Sequence, residues 1–231
     1  GGTMMLCIAC LLVGCTRTAA VGGGGASGPR TVVGRAQLRS ATVDVVSGAT
    51  VVDVSARPLD GALYRVSTPE GSGIRPLATR TGATVRVAVT GTGTEATAVA
   101  AVAVVVATGV RWSIVLDGGA TSESVDMSQG SLISLTFAAG VSDASVRLPP
   151  PSGTQGLHLD GGASRLVVTA PAGAPAEVRA LGGASVVELD GVSHHGVSGG
   201  STFADPGWAT AHDRYVLELA AGASDVEFQR S

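Results

Sequence analysis
A four-residue corner, Gly-Gly-Ala-Ser or a near copy, recurs along the second half of this chain and constrains its fold more than any other feature. It stands at Gly118-Gly119-Ala120-Thr121, Ala139-Gly140-Val141-Ser142, Gly161-Gly162-Ala163-Ser164, Gly182-Gly183-Ala184-Ser185 and Ala221-Gly222-Ala223-Ser224. The second positions are 21, 22, 21 and 39 residues apart, the last gap being close to two periods. The flanks repeat with the corner. Five and three residues before each second position stand Ile114 and Leu116, Leu135 and Phe137, Leu157 and Leu159, Val178 and Ala180, and Leu217 and Leu219, all apolar. Four and six residues after it stand Glu123 and Val125, Ala144 and Val146, Leu166 and Val168, Val187 and Leu189, and Val226 and Phe228, apolar except for Glu123. Apolar residues two apart on either side mark strands whose alternate side chains share one face, so each copy is a corner between two strands.

A period of this length fits one coil of a β-helix, whose short strands stack coil on coil at about 4.8 Å. Glycine suits such corners because it lets neighbouring backbones approach closely. The expected fold is all-β, a β-helix (solenoid) with about 21-residue coils and inward ladders of Val, Leu and Ala. Pro149, Pro150, Pro151, Pro171 and Pro175 fall between strand pairs, where no ladder bond is lost. A sixth copy of the corner stands at Ser47-Gly48-Ala49-Thr50, with Val43 and Val45 before it and Val52 and Val54 after. Residues 55 to 112 are less regular. Val85 to Thr90 and Ala98 to Val110 read as two strands around a tight turn at Gly91-Thr92-Gly93, and the stretch is either wider coils or a hairpin that caps the stack.

Composition agrees with a thin, layered core. Of 231 residues 34 are Gly, aromatics are 3% and charges 14%, while the hydrophobic fraction is 45%, mostly Ala and Val. The 15 basic residues are all Arg, scattered, with a net charge of −3, which argues against nucleic acid as a partner. Cys7, Cys10 and Cys15 all precede the repeats, so the domain has no cysteine for a disulfide framework or a Cys-based metal site.

The segment Met4 to Gly14 is apolar and uncharged, the length of a signal-peptide core and short of the roughly 20 residues of a membrane-spanning helix. It ends in Leu12-Val13-Gly14-Cys15, which resembles the bacterial lipoprotein signal; that resemblance makes Cys15 a lipid anchor. The run Ala19 to Pro29 has the composition of a flexible tether. No basic residue precedes the apolar run, and a cytosolic chain with an apolar N-terminus is the competing reading. The expected organisation is a lipoprotein-like signal segment over 1–14, a Gly-rich tether over 15–34 and the solenoid over 35–231, with regular coils from 113. The expected location is extracytoplasmic, in the cell envelope.

With Trp112, the Gly-Ala-Ser corners, Val146-Arg147-Leu148-Pro149 and Asp213-Arg214-Tyr215, residues 112 to 231 resemble the bacterial envelope proteins grouped as putative adhesins and domains of unknown function. The resemblance implies a single-stranded right-handed β-helix, and a surface or envelope-stress protein with no motif residues whose roles transfer.

The doubled gap between Gly183 and Gly222 holds the candidate binding loop, with His194, His195, Phe203, Asp205 and Trp208. His194, His195 and His212 are the candidate metal ligands, but adjacent histidines on a strand point to opposite faces and no His-x-His spacing occurs. The competing reading is solvated histidines beside a Trp that covers the end of the stack. Asp117, Asp160 and Asp190 lie near the corners, where turn formation accounts for them without calcium. No catalytic residue is assigned: the chain has no Lys, no Gly-x-Ser-x-Gly elbow and no paired acids on one face of consecutive coils. The sequence therefore reads as a tethered, non-enzymatic binding or structural module without a cofactor, meeting the membrane through its lipid and an envelope protein or glycan as partner. The alternatives are an envelope-stress or signalling accessory that associates with another envelope protein, and a carbohydrate-active enzyme.

Overall fold
The computed structural model describes residues 30–34 and 38–231. The signal segment, Cys15 and the tether up to Pro29 lie outside the described residues. In chain order the first strands are β1 (Arg30–Gly34), β2 (Ser40–Val45), β3 (Ala49–Arg57), β4 (Ala62–Ser67), β5 (Ile74–Thr81), β6 (Thr84–Gly91) and β7 (Ala101–Ala107). Then follow β8 (Arg111–Leu116), β9 (Ala120–Asp126), β10 (Ser131–Phe137), β11 (Val141–Arg147), β12 (Thr154–Leu159) and β13 (Ala163–Ala170). The last are β14 (Ala176–Ala180), β15 (Ala184–Leu189), β16 (Val192–Val197), β17 (Ser201–Ala204), β18 (Arg214–Leu219) and β19 (Ala223–Arg230). Strand β1 falls inside the stretch read above as tether and pairs with β4.

The protein is all-β, built of two sheets that do not close into a barrel. One sheet runs β1-β4-β7-β3-β9-β11-β13-β19-β15-β16 and the other β17-β14-β18-β12-β10-β8-β2-β6-β5. At each corner the chain passes from the second sheet to the first, so a strand pair such as β8 and β9 forms one rung of a stack. Rung pairs with rung in parallel. Antiparallel pairs (β1 with β4, β4 with β7, β5 with β6, β14 with β17, β15 with β16) occur only at the two ends. There they leave the parallel rungs with no exposed edge of their own.

The inward phase read from the flanks is the observed one. Val85, Val43, Ile114, Leu135, Leu157, Leu217 and Val178 lie side by side in one file and all are fully buried. Each such side chain taken from water contributes about 1.5–3 kcal/mol. Trp112 is also buried and satisfies its indole N–H on the Ala107 carbonyl at 2.9 Å.

One sequence reading is corrected. Strands β6 and β7 are not a hairpin around Gly91-Thr92-Gly93: they belong to different sheets, and the hairpin joins β5 to β6 with Gly82 at positive φ in its turn. The rungs do not stack in chain order. The β18–β19 rung lies between β12–β13 and β14–β15, so the corner at Gly222 follows Gly162 and precedes Gly183. The start of the chain shows the same arrangement, because β6 and β7 pack outside β2 and β3. At both ends an excursion of the chain covers a rung that lies nearer its terminus.

The corner supports this order sterically. In stack order its first positions are Ser47, Gly118, Ala139, Gly161, Ala221 and Gly182, alternating a side chain with none. A Cβ on Gly118 would meet the Ser47–Gly48 peptide, one on Gly161 the Ala139 peptide, and one on Gly182 the Ala221 backbone.

Candidate functional site
The excursion from Pro171 to Asp213 carries the candidate loop. Asp190 and Gly191, at φ 49° and 81°, make the two-residue turn from β15 to β16. Strand β16 then pairs on the edge of one sheet and β17 on the edge of the other. Their side chains join across the end of the stack: the His194 and Phe203 rings are stacked with centroids 3.9 Å apart. His195 is exposed and in register with Val186. His212 lies elsewhere, its Nδ1 2.8 Å from Asp213 Oδ1, which also accepts the Gly153 amide at 2.7 Å. The three histidines thus have separate neighbours, and among the described residues no three His, Cys, Asp or Glu side chains are grouped as metal ligands.

Asp205 and Trp208 are bonded into the fold. Asp205 Oδ2 accepts the Ala176 amide at 2.8 Å and Arg230 Nη2 at 2.7 Å. The Trp208 indole donates to the Tyr215 carbonyl at 2.8 Å, with the guanidinium carbons of Arg214 and Arg179 4.4 and 5.5 Å from its ring centre. Arg230 also reaches the Ala174 carbonyl and Asp190. Burial raises the Asp190 carboxyl above the usual carboxylate range, with Arg230 opposing that rise and Asp205 adding to it. Arg214 donates to the Trp208 and Ala209 carbonyls and to Thr154 Oγ1. Sequence reasoning missed Arg230, because nothing local marks a partner 25 or 40 residues away.

Of the three corner aspartates, Asp117 and Asp160 bond through their backbones: their amides donate to the Val45 and Phe137 carbonyls of the neighbouring rung. Beside them the stacked glycines leave a shallow open groove, one stretch of about 420 Å³ being lined by Gly140, Gly162, Gly222, Ser142 and Ser164. An exposed row of hydroxyls borders it at Thr50, Thr121, Ser142, Ser164, Ser224 and Ser185. The outer face of the second sheet carries a file of polar and charged side chains, with Glu218 3.9 Å from His158 and 4.0 Å from Arg179.

Glu123, the one polar residue in the inward pattern, is 2% exposed, in register with Val52 and Ala144, and its Oε2 has no hydrogen-bond partner. Removal from water pushes its pKa up to about 8, so the carboxyl is neutral at pH 7. The neutral acid sits in the core, between Val52 and Ala144 of the neighbouring rungs.

No family model matches the chain, and no curated protein sequence matches it. Among solved structures it is similar to a putative cell adhesion protein from Clostridium sporogenes, with a TM-score of 0.57 and 11% identity over 87% of this chain and 98% of that one. It also aligns with a putative adhesin from Bacteroides fragilis, with a TM-score of 0.25 and 7% identity over 86% of this chain and 97% of that one. The first likeness is one of fold; the second is too low to argue from.

Proposed function
We propose that this chain is a membrane-tethered, extracytoplasmic β-solenoid, wound right-handed, that serves as a non-enzymatic, adhesin-like binding or structural module. The observation that carries the reading is the surface. Two laddered sheets present long, regular polar faces, and the row of hydroxyls along the corner borders an open groove instead of an enclosed pocket. Such a surface suits broad contact with a glycan or an envelope protein better than conversion of a small substrate. The fold likeness to the putative cell adhesion protein supports the same reading. Cys15 supplies the tether in this proposal.

The test is display of the full chain on a non-adherent host. Attachment of cells to glycan-coated and envelope-protein-coated surfaces should rise above that of the empty host and fall when Cys15→Ser releases the protein from the membrane fraction. Attachment equal to the empty host on every surface would refute the adhesive role. Membrane association unchanged by Cys15→Ser would refute the tether.

A further inference from the structure
The rung β18–β19 sits between two rungs that also fit each other. His158 of β12 and Arg179 of β14 are both in register with Glu218, and on the inward side Leu157 and Val178 are both in register with Leu217. In the other sheet Leu166 and Val187 both flank Val226. Leu157 and Val178 are 21 residues apart, the spacing of the regular rungs. The link from β13 to β14 has five residues, between the four that join β9 to β10 and the six that join β11 to β12. Those regular links climb one rung, whereas this one climbs two. If β18–β19 withdrew, β14 could pair on β12 and β15 on β13 without change of phase, and the corner would set Gly182 against Gly161, neither carrying a side chain.

We propose that β18–β19 is a removable rung: a minor form exists in which this strand–corner–strand arch is expelled and the excursion closes directly onto β12–β13. The arch is held in place by arginines near its two ends that grip the excursion. Arg214 binds the Trp208 and Ala209 carbonyls, and Arg230 binds Asp205, Asp190 and the Ala174 carbonyl. Expulsion gives up these ties, one rung of burial and the ladders of β18–β19 with the rungs on both sides, and closure of β14–β15 onto β12–β13 restores one of those two sets of ladders. Because one ladder set re-forms, this is cheaper than opening an interior rung, such as β10–β11, where neither lost interface is replaced.

Cysteine pairs distinguish the two forms. In the full chain with Cys7, Cys10 and Cys15 changed to Ser, His158→Cys with Arg179→Cys places two thiols on strands separated by β18. Two strand spacings, roughly 9.6 Å, exceed the reach of a disulfide, about 7 Å between Cα atoms. Expulsion of the arch makes the two positions neighbours. The reference pair, Ser124→Cys with Val167→Cys, flanks Ser145 in the same way across β11, which cannot leave without opening the stack. Under mild oxidation the first pair should form an intramolecular disulfide about tenfold faster than the second, and Arg230→Ala should speed the first several-fold and leave the second unchanged. A first pair that closes no faster than the reference, or links only between chains, overturns the proposal.

Discussion

Replacing Glu123 by Val should stabilise this protein, and by an amount that grows with pH. Glu123 stands in a file whose neighbours on either side are Val52 and Ala144, so a valine continues the apolar ladder and repeats the rotamer-restricted, β-branched form of Val52. The acid is raised from an ordinary 4.5 to about 8 by burial alone. An acid with a raised folded pKa costs the fold nothing while both states are protonated; the cost begins above the unfolded value and levels off past the folded one. At about 1.36 kcal/mol per unit, holding the carboxyl neutral costs about 1 kcal/mol at pH 5 and about 3 kcal/mol at pH 7, approaching a plateau of about 5 kcal/mol above pH 9. Urea unfolding of the parent and Glu123→Val at pH 5, 7 and 9 measures this directly. The stability difference should widen by about 2 kcal/mol between pH 5 and 7 and again, by less, between 7 and 9. A difference that stays constant across the series would mean that Glu123 is not held neutral in the core.

Three further outcomes follow from the packing. Gly161→Ala drives a Cβ into the Ala139 peptide and should lower stability by about 2 kcal/mol or more, whereas Gly140→Ala meets nothing closer than 3.6 Å and should change it by less than about 1 kcal/mol in thermal melts. Leu159→Asp buries an unpaired carboxylate and should abolish the cooperative transition, while His158→Asp on the outer face leaves it in place; equal effects would sink the assigned phase. Tyr215→Phe removes the donor to the Pro149 carbonyl at 2.9 Å and should cost about 1 kcal/mol, read as a lower denaturant midpoint at unchanged slope.

The repeat made the inward phase legible because it depends only on alternation beside a fixed corner, and every position so assigned, from Val43 to Phe228, is buried. Rung order was not legible in the same way. Leu157, Leu217 and Val178 share one phase, and periodicity carries phase without saying which rung is next to which. The hairpin near residue 90 was misplaced because Gly91 and Gly93 looked like the tighter punctuation, while the turn that lets β5 and β6 pair uses Gly82. In the candidate loop the composition located the end of the stack. The contacts that decide what its residues do, His194 on Phe203 and Asp205 on Arg230, join segments brought together only by the fold.

The alternation at the corner amounts to a rule for lengthening the molecule. A rung that begins its corner with Ala or Ser, as at Ser47, Ala139 and Ala221, is followed in the stack by one that begins with Gly, because only hydrogen fits against the preceding peptide. A duplicated Gly-first rung could be accepted beside any existing one, whereas a duplicated Ala-first rung would be rejected unless a Gly-first rung came with it. Growth of such a stack by gene duplication therefore proceeds by single Gly-first coils or by an Ala-first coil together with a Gly-first one, and a lone Ala-first copy must first lose its methyl.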